Sequence, residues 1–406
     1  MALTTDPASA TQPRQPSQSI GWHRWLGRIL MLYLCVIFAT GTLLVFGAEL
    51  ESLLSPQMQR APVATGSAMA SNGALLDAAM MAHPDAKPLI VRAPKSDWFA
   101  AEVEMRAVSG IDFIVWLDPH SAAPQGTTAV LGFHELLRRF HVSLFAQSRL
   151  VLMLTSAVSV LLIAQLVLGL ASYRRFWRGL FRVPGLTQQG RTLWGNWHRW
   201  TGLWSLPLLS VISLTGLLYF FETLGFAPDL PAAHTPALRE TALPAGFNGA
   251  TLDKAVAIAL TELPGLAVRE IYLPVNKTEA LRLRGDLDAT LVRPRANTVS
   301  VDPATMMVLG AHRGQDLGLA RRLTEAADPL HYGTWGGLPS QIFWVVSGLF
   351  ATLLALSGLK IASWRLSLRP GIPSFSNAVR AIFLPGRAVL VGFLIICCVS
   401  AFRAFV

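Results

Sequence analysis

The chain has 406 residues, 52% of them hydrophobic and only 14% charged, with a mean hydropathy of +0.45. That balance excludes an ordinary soluble globular domain and points to an integral membrane protein. The net charge of +10 would suit a nucleic-acid binder, but its placement argues otherwise: 23 of the 24 acidic residues fall in 48–140 and 222–330, while 172–197 and 360–406 carry basic residues and no acidic ones. By the positive-inside rule the basic stretches are cytoplasmic and the mixed-charge ones lie across the membrane. The expected partner is therefore the lipid bilayer, with no role for nucleic acid.

In chain order, 1–19 is rich in Ser, Thr, Gln and Pro and reads as a disordered cytoplasmic tail. A first spanning helix is expected over 20–49, opening with Trp22-His23-Arg24-Trp25 and closing with Thr40-Gly41. It is too long for a signal-peptide core and is expected to be retained. The segment 50–140 follows, with a helix and about three strands ending in Asp118-Pro119. A second span covers 141–173 behind His141, and a basic loop covers 174–197. The sequence then starts again. Trp197-His198-Arg199-Trp200 opens a third span, 198–221, closing in Thr215-Gly216, and the offset between copies stays at 175 residues throughout this helix. A second insert, 222–330, repeats the helix, the strands and an Asp302-Pro303 turn. A fourth span, 331–361, lies behind His331, followed by a loop at 362–387 and a fifth span at 388–406. Cys35, Cys397 and Cys398 all lie in apolar runs, so no disulfide framework is expected.

The expected architecture is thus a membrane α-helical bundle of about five helices, built on a duplicated, parallel two-helix repeat, with two small α+β inserts outside the membrane. Parallel repeats are related by a pseudo-two-fold axis along the membrane normal. Such an axis sorts four histidines into two pairs, His23 with His198 at one depth and His141 with His331 at the other. Opposed imidazoles across a planar gap suit a six-coordinate b-type haem, one or two per chain, and Gly27 and Gly202 would relieve crowding beside it. A lone His at a helix end is more often an interfacial anchor, and the flanking tryptophans fit an aromatic belt. Four at paired depths in a duplicated frame favour ligation. The absence of Cys-x-x-Cys-His excludes covalent haem attachment. His134, two helical turns before His141, admits four readings: alternative ligand, propionate contact, outer substrate surface, or simply part of a solvated amphipathic lead-in with Glu135, Arg138 and Arg139. Arg24, Arg199, Arg138 and Arg139 either pair with propionates or serve as ordinary charged anchors. No catalytic residue beyond these is assigned.

These motifs resemble the PepSY-associated transmembrane helix family, the iron-regulated membrane proteins. The resemblance rests on Trp-His-Arg-Trp-x-Gly with a following Thr-Gly in both halves, on the Leu-Arg-Arg-Phe-His141 and Pro-Leu-His331-Tyr-Gly approaches, and on the Gly-Leu helix endings, across about 20–365. Val167-Leu168-Gly169 departs from it, lacking the Ser or Thr usual before that glycine. The resemblance implies PepSY-like inserts, a bacterial inner-membrane location with the N-terminus cytoplasmic, haem ligation by His23, His198, His141 and His331, and reduction of ferric siderophores in support of iron uptake. No Gly-x-Gly-x-x-Gly follows a strand, so electrons come from an unidentified cytoplasmic donor. The alternative is a membrane-anchored PepSY binding or regulatory protein without redox activity, which has no need of four paired histidines. A permease would require polar groups in mid-membrane, and the spans offer only Gln165.

Overall fold

The structure, a computed structural model, describes residues 17–61, 68–146, 148–173, 175–185 and 187–366. The fifth span expected at 388–406 and most of the 362–387 loop lie outside the described residues.

Among the described residues four helices are long and apolar enough to cross a membrane: α1 (Gln18–Leu44), α5 (Arg149–Ser172), α6 (Gly190–Leu224) and α9 (Gly337–Leu366). The other helices are α2 (Gly47–Leu54), α3 (Asn72–Ala82), α4 (Phe133–Ser143), α7 (Gly249–Glu262) and α8 (Leu319–Tyr332). Helix α1 packs on α5 and α9, and α6 packs on the same two, so the duplicated helices face each other diagonally. Small residues make the crossings. A Cβ on Gly216 would lie 2.9 Å from Cβ of Ser159, and one on Gly348 would collide with Thr42. In lipid, where no hydrophobic effect drives helices together, such close approach supplies the packing energy.

The strands are β1 (Lys87–Arg92), β2 (Ala101–Arg106), β3 (Asp112–Leu117), β4 (Pro124–Ala129), β5 (Ala267–Tyr272), β6 (Leu281–Asp286), β7 (Thr298–Val301) and β8 (Val308–His312). Each insert therefore has four strands rather than three, and the two inserts are not separate. They form a single eight-stranded antiparallel sheet, β4-β3-β2-β1-β5-β6-β7-β8, joined where Ile90, Val91 and Arg92 pair with Tyr272, Ile271 and Glu270. The reason is physical: β1 alone would expose an apolar strand edge, and one helix over four strands is a marginal core. Fusion removes the edge and makes one core, in which Leu76 and Leu252 are 0% exposed. Each such leucine contributes about 1.5–3 kcal/mol on burial.

Helices α3 and α7 cross at Gly73 and Gly249, where a Cβ on either would strike the carbonyl of the other. Asp253 accepts from the Gly73 N–H at 2.8 Å, and Asp77 accepts from the Gly249 N–H at 2.6 Å. That reciprocity is the pseudo-two-fold axis written in hydrogen bonds. The recurrent Asp-Pro pairs also acquire a purpose. Asp118 and Asp302 accept from the main chain two residues on, at 3.0 Å in each case, and turn the chain into β4 and β8.

The second and fourth spans do not begin at their histidines. His141 lies on α4, which ends before Leu144 and Phe145, both with left-handed backbone (φ 49° and 67°), and α5 starts only at Arg149. His331 lies on α8, which closes at Gly333 (φ 73°) before α9 begins. Left-handed conformation in two consecutive bulky residues is costly and persists only where surrounding packing imposes it.

Candidate functional site: two histidine pairs along one axis

At the end of the bundle that carries the arginine-rich stretch between α5 and α6, the rings of His23 and His198 meet edge-on with centroids 6.3 Å apart and planes at 66°. Two imidazoles on opposite sides of one metal stand at about this spacing, from two metal–nitrogen bonds of roughly 2 Å plus the ring radii. His23 Nδ1 contacts the Gln165 carbonyl at 3.3 Å; His198 Nδ1 contacts the Leu354 carbonyl at 3.1 Å and Ser357 Oγ at 2.9 Å. A carbonyl only accepts, so each Nδ1 bears the proton and each Nε2 keeps its lone pair. Gly169 and Gly358 make room: a Cβ on them would lie 3.3 Å from His23 Cε1 and 3.4 Å from His198 Cε1.

At the sheet end the same logic recurs with different acceptors. Thr40 Oγ1 donates to the Val36 carbonyl at 2.8 Å, which spends its hydrogen, and it lies 2.9 Å from His141 Nδ1. Thr215 Oγ1 donates to the Val211 carbonyl at 3.0 Å and lies 2.8 Å from His331 Nδ1. Both hydroxyl oxygens therefore accept from a protonated Nδ1. A Cβ on Gly41 would come within 2.9 Å of His141 Cε1, so the Thr-Gly pair both holds the ring and clears space for it. Among the described residues no hydrogen bond occupies Nε2 of any of the four histidines.

His141 and His331 open into one cavity of about 850 Å³, within the size range of small-molecule and cofactor sites. It runs from Leu208 and Ala351 inside the bundle to Lys95 and Ser96 on the β1–β2 loop, and includes Tyr219, Tyr332 and His134. His134 packs on Gly47, where a Cβ would be 2.5 Å from its Cδ2. Its ring has no hydrogen bond among the described residues, while the His134 main-chain N–H donates to the Glu51 carboxylate at 3.0 Å. Burial, assisted by the nearby Lys95 ammonium, lowers its pKa to about 4, so the ring is neutral near pH 7.

The arginines divide. Arg138 lines the cavity, but both it and Arg139 grip Glu135, at 2.6 and 2.8 Å. Arg199 bonds Asn196, while Arg24 Nε is buried with no partner among the described residues. A Cβ on Gly27 would lie 3.0 Å from Gln165 Nε2 and one on Gly202 3.3 Å from Leu354 Cδ1, so these glycines ease helix crossings rather than crowding at the His rings. Beside His331, Tyr219 donates to Asp328 at 2.8 Å. Asp328 is held by Arg293 at 2.7 Å, and Arg295 joins Glu222 to the fully buried Glu325. These ion pairs tie the second insert to α6 and α8.

Sequence reasoning missed Thr40, Thr215, Gly169, Gly358, Ser357 and this ion-pair network. The first four were visible as repeated motifs without a purpose. The network is confined to one repeat and leaves no periodic signal.

A search of the curated proteins finds no match. The pattern that describes the PepSY-associated TM region, by contrast, matches residues 20–365, including all four spanning helices and both halves of the sheet. The chain is a multi-pass membrane protein, and it belongs to the PepSY-associated TM family.

Proposed function

We propose that the protein is a haem-b-containing reductase of the bacterial inner membrane that carries electrons from a cytoplasmic donor to a ferric siderophore, or a similar ferric chelate, on the periplasmic side. The observation that carries this reading is the common state of four imidazoles: Nδ1 spent on a fixed acceptor, Nε2 unbonded, in two pairs at opposite ends of one bundle. A zinc or structural role needs no such duplication, and among the described residues no group of three or more His, Cys, Asp or Glu side chains is placed to hold a metal ion. A haem bound at each pair would supply one-electron transfer and nothing else.

The chain's own residues do the rest. The Gln165 and Leu354 carbonyls, Ser357, Thr40 and Thr215 fix ring orientation and raise the basicity of Nε2. Leu26 and Leu30 pack in the bundle core on the basic-end side of the cavity, whose inner wall includes Leu34, Leu162 and Leu208. The sheet-end cavity admits a partner from outside. One electron converts Fe(III) in the chelate to Fe(II), for which hard oxygen donors have less affinity, and the iron is released.

An optical spectrum of the purified protein tests this directly. A Soret band that sharpens and shifts on reduction, and returns to its oxidised form when a ferric chelate is added, is expected. A protein without a Soret band, or a His141→Ala variant with an unchanged haem spectrum, would sink it.

A further inference from the structure

The chain between α5 and α6 does not simply leave the bundle at its basic end. After Ser172 it makes a short 3₁₀ turn, Phe176–Gly179, and folds back along α6. The Trp204 indole donates to the Leu180 carbonyl at 3.0 Å, and the Trp204 ring lies 6.4 Å from that of Phe181. A Cβ on Gly179 would lie 2.6 Å from the Tyr173 hydroxyl and 3.6 Å from Leu203 Cδ1, so a glycine there lets the turn lie close. Trp204 stands about 9 Å beyond His198 along α6. About 20 residues counted back from Phe221, at the far end of the span, put the hydrocarbon edge near Gly202. Leu180 and Phe181 therefore sit at that edge.

The turn suits that position. Main-chain N–H groups are spent inside it, Arg178 on the Arg175 carbonyl at 3.1 Å and Arg182 on the Gly179 carbonyl at 3.2 Å. A segment at the lipid boundary needs its backbone satisfied in this way. Trp177, Phe181 and Val183 are 60, 82 and 66% exposed, and Arg175, Arg178 and Arg182 are exposed between them. None of these arginines forms an ion pair among the described residues. No Asp or Glu occurs between Glu135 and Glu222. An arginine that only anchors a loop in water needs no bulky apolar neighbours. Exposed aromatic rings interleaved with unpaired arginines make a surface that lies half in water and half among acyl chains.

We propose that residues 175–183 form an interfacial seat for anionic phospholipid in the leaflet at the basic end. Arg175, Arg178 and Arg182 hold the headgroup phosphate, and Trp177 and Phe181 lie among the upper acyl chains. A guanidinium offers phosphate two parallel N–H bonds, and its fixed charge favours a lipid of net negative charge over a zwitterion. Each basic residue near such a surface contributes about fivefold in affinity. The rings carry no charge preference, so headgroup selection and membrane seating fall on different residues. The inference stands on the spanning helices and this turn, and is independent of the redox reading.

The test titrates the full-length protein, in a non-ionic detergent, with dioleoylphosphatidylglycerol or dioleoylphosphatidylethanolamine. Native mass spectrometry reads the affinity of the first lipid retained. Phosphatidylglycerol, which is anionic, is expected to be retained in preference to the zwitterion. Arg178→Gln combined with Arg182→Gln should lower that preference by about fivefold per arginine removed. Phe181→Ser should weaken both lipids and leave their ratio unchanged. Arg313→Gln combined with Arg322→Gln, which removes the same charge at the sheet end, should change neither. Equal retention of the two lipids by the parent, an unchanged ratio in the Arg178 and Arg182 variant, or an equal loss in the sheet-end variant would overturn the proposal. Displacement by water-soluble glycerol 3-phosphate as effective as that by the lipid would also overturn it, because the aromatic seat would then have no part in binding.

Discussion

At the basic end His23 and His198 sit on the spanning helices themselves, pinned to main-chain carbonyls, with centroids 6.3 Å apart. At the sheet end His141 and His331 ride on separate short helices, pinned to threonine hydroxyls and open to a cavity of about 850 Å³. One pair is built into the spanning helices, and the other is set beside a break between helices and a space. Rigid spacing suits a relay that exchanges only electrons. A cavity beside the proposed ligand pair suits a station that meets a partner from outside.

The largest expected effects remove a ligand. His198→Ala should abolish the haem proposed at the basic end and His331→Ala the one proposed at the sheet end, each halving Soret absorbance per chain. If either variant lost both haems while remaining folded, the two stations would not be separate.

Thr215→Val keeps the shape and deletes the acceptor of His331 Nδ1. Loss of such an outer hydrogen bond costs about 10–100-fold in affinity for the bound group, measurable as haem loss to a competing apoprotein. Ser357→Ala should cost far less, because the Leu354 carbonyl still holds His198 at 3.1 Å. Equal losses would erase the distinction between carbonyl-held and hydroxyl-held pairs.

Glycine substitutions sharpen the same contrast at smaller amplitude. Gly41→Ala places a methyl 2.9 Å from His141 Cε1 and must turn the ring, whereas Gly358→Ala meets His198 at an easily tolerated 3.4 Å. Electron paramagnetic resonance of the oxidised protein should show shifted g-values for the first and almost none for the second.

The smallest effect is a pH dependence confined to the sheet end. His134 has a folded pKa of about 4 against roughly 6.5 unfolded, so the unfolded chain binds more protons between those values. Stability contributed by the neutral ring is complete above about pH 6.5 and declines as pH falls toward 4. The thermal midpoint should drop across that window in the parent and drop less in His134→Gln; identical slopes would remove His134 from the buried wall.

Much of this was legible in the sequence because duplication is a strong signal. Trp-His-Arg-Trp at a constant offset placed His23 and His198 at one depth, and the structure brings their ring centroids within 6.3 Å. The fused sheet was not legible. Pairing of β1 with β5 joins residues 180 apart, and neither strand differs in pattern from one that ends a sheet. β4 was hidden for another reason: Pro-Gln-Gly-Thr-Thr-Ala is a polar edge strand with no apolar alternation. The break at Leu144 and Phe145 was hidden by chemistry, since nothing in Ser-Leu-Phe announces a left-handed turn. The roles of Thr40 and Thr215 needed tertiary contacts that repetition alone could not supply.

Haem stoichiometry by pyridine haemochrome, measured on the purified full-length chain beside His198→Ala and His331→Ala, tests the central claim most directly. Two b-type haems per chain, falling to one in each variant, is the predicted result. A chain with no haem, or with a haem content that neither substitution changes, contradicts it.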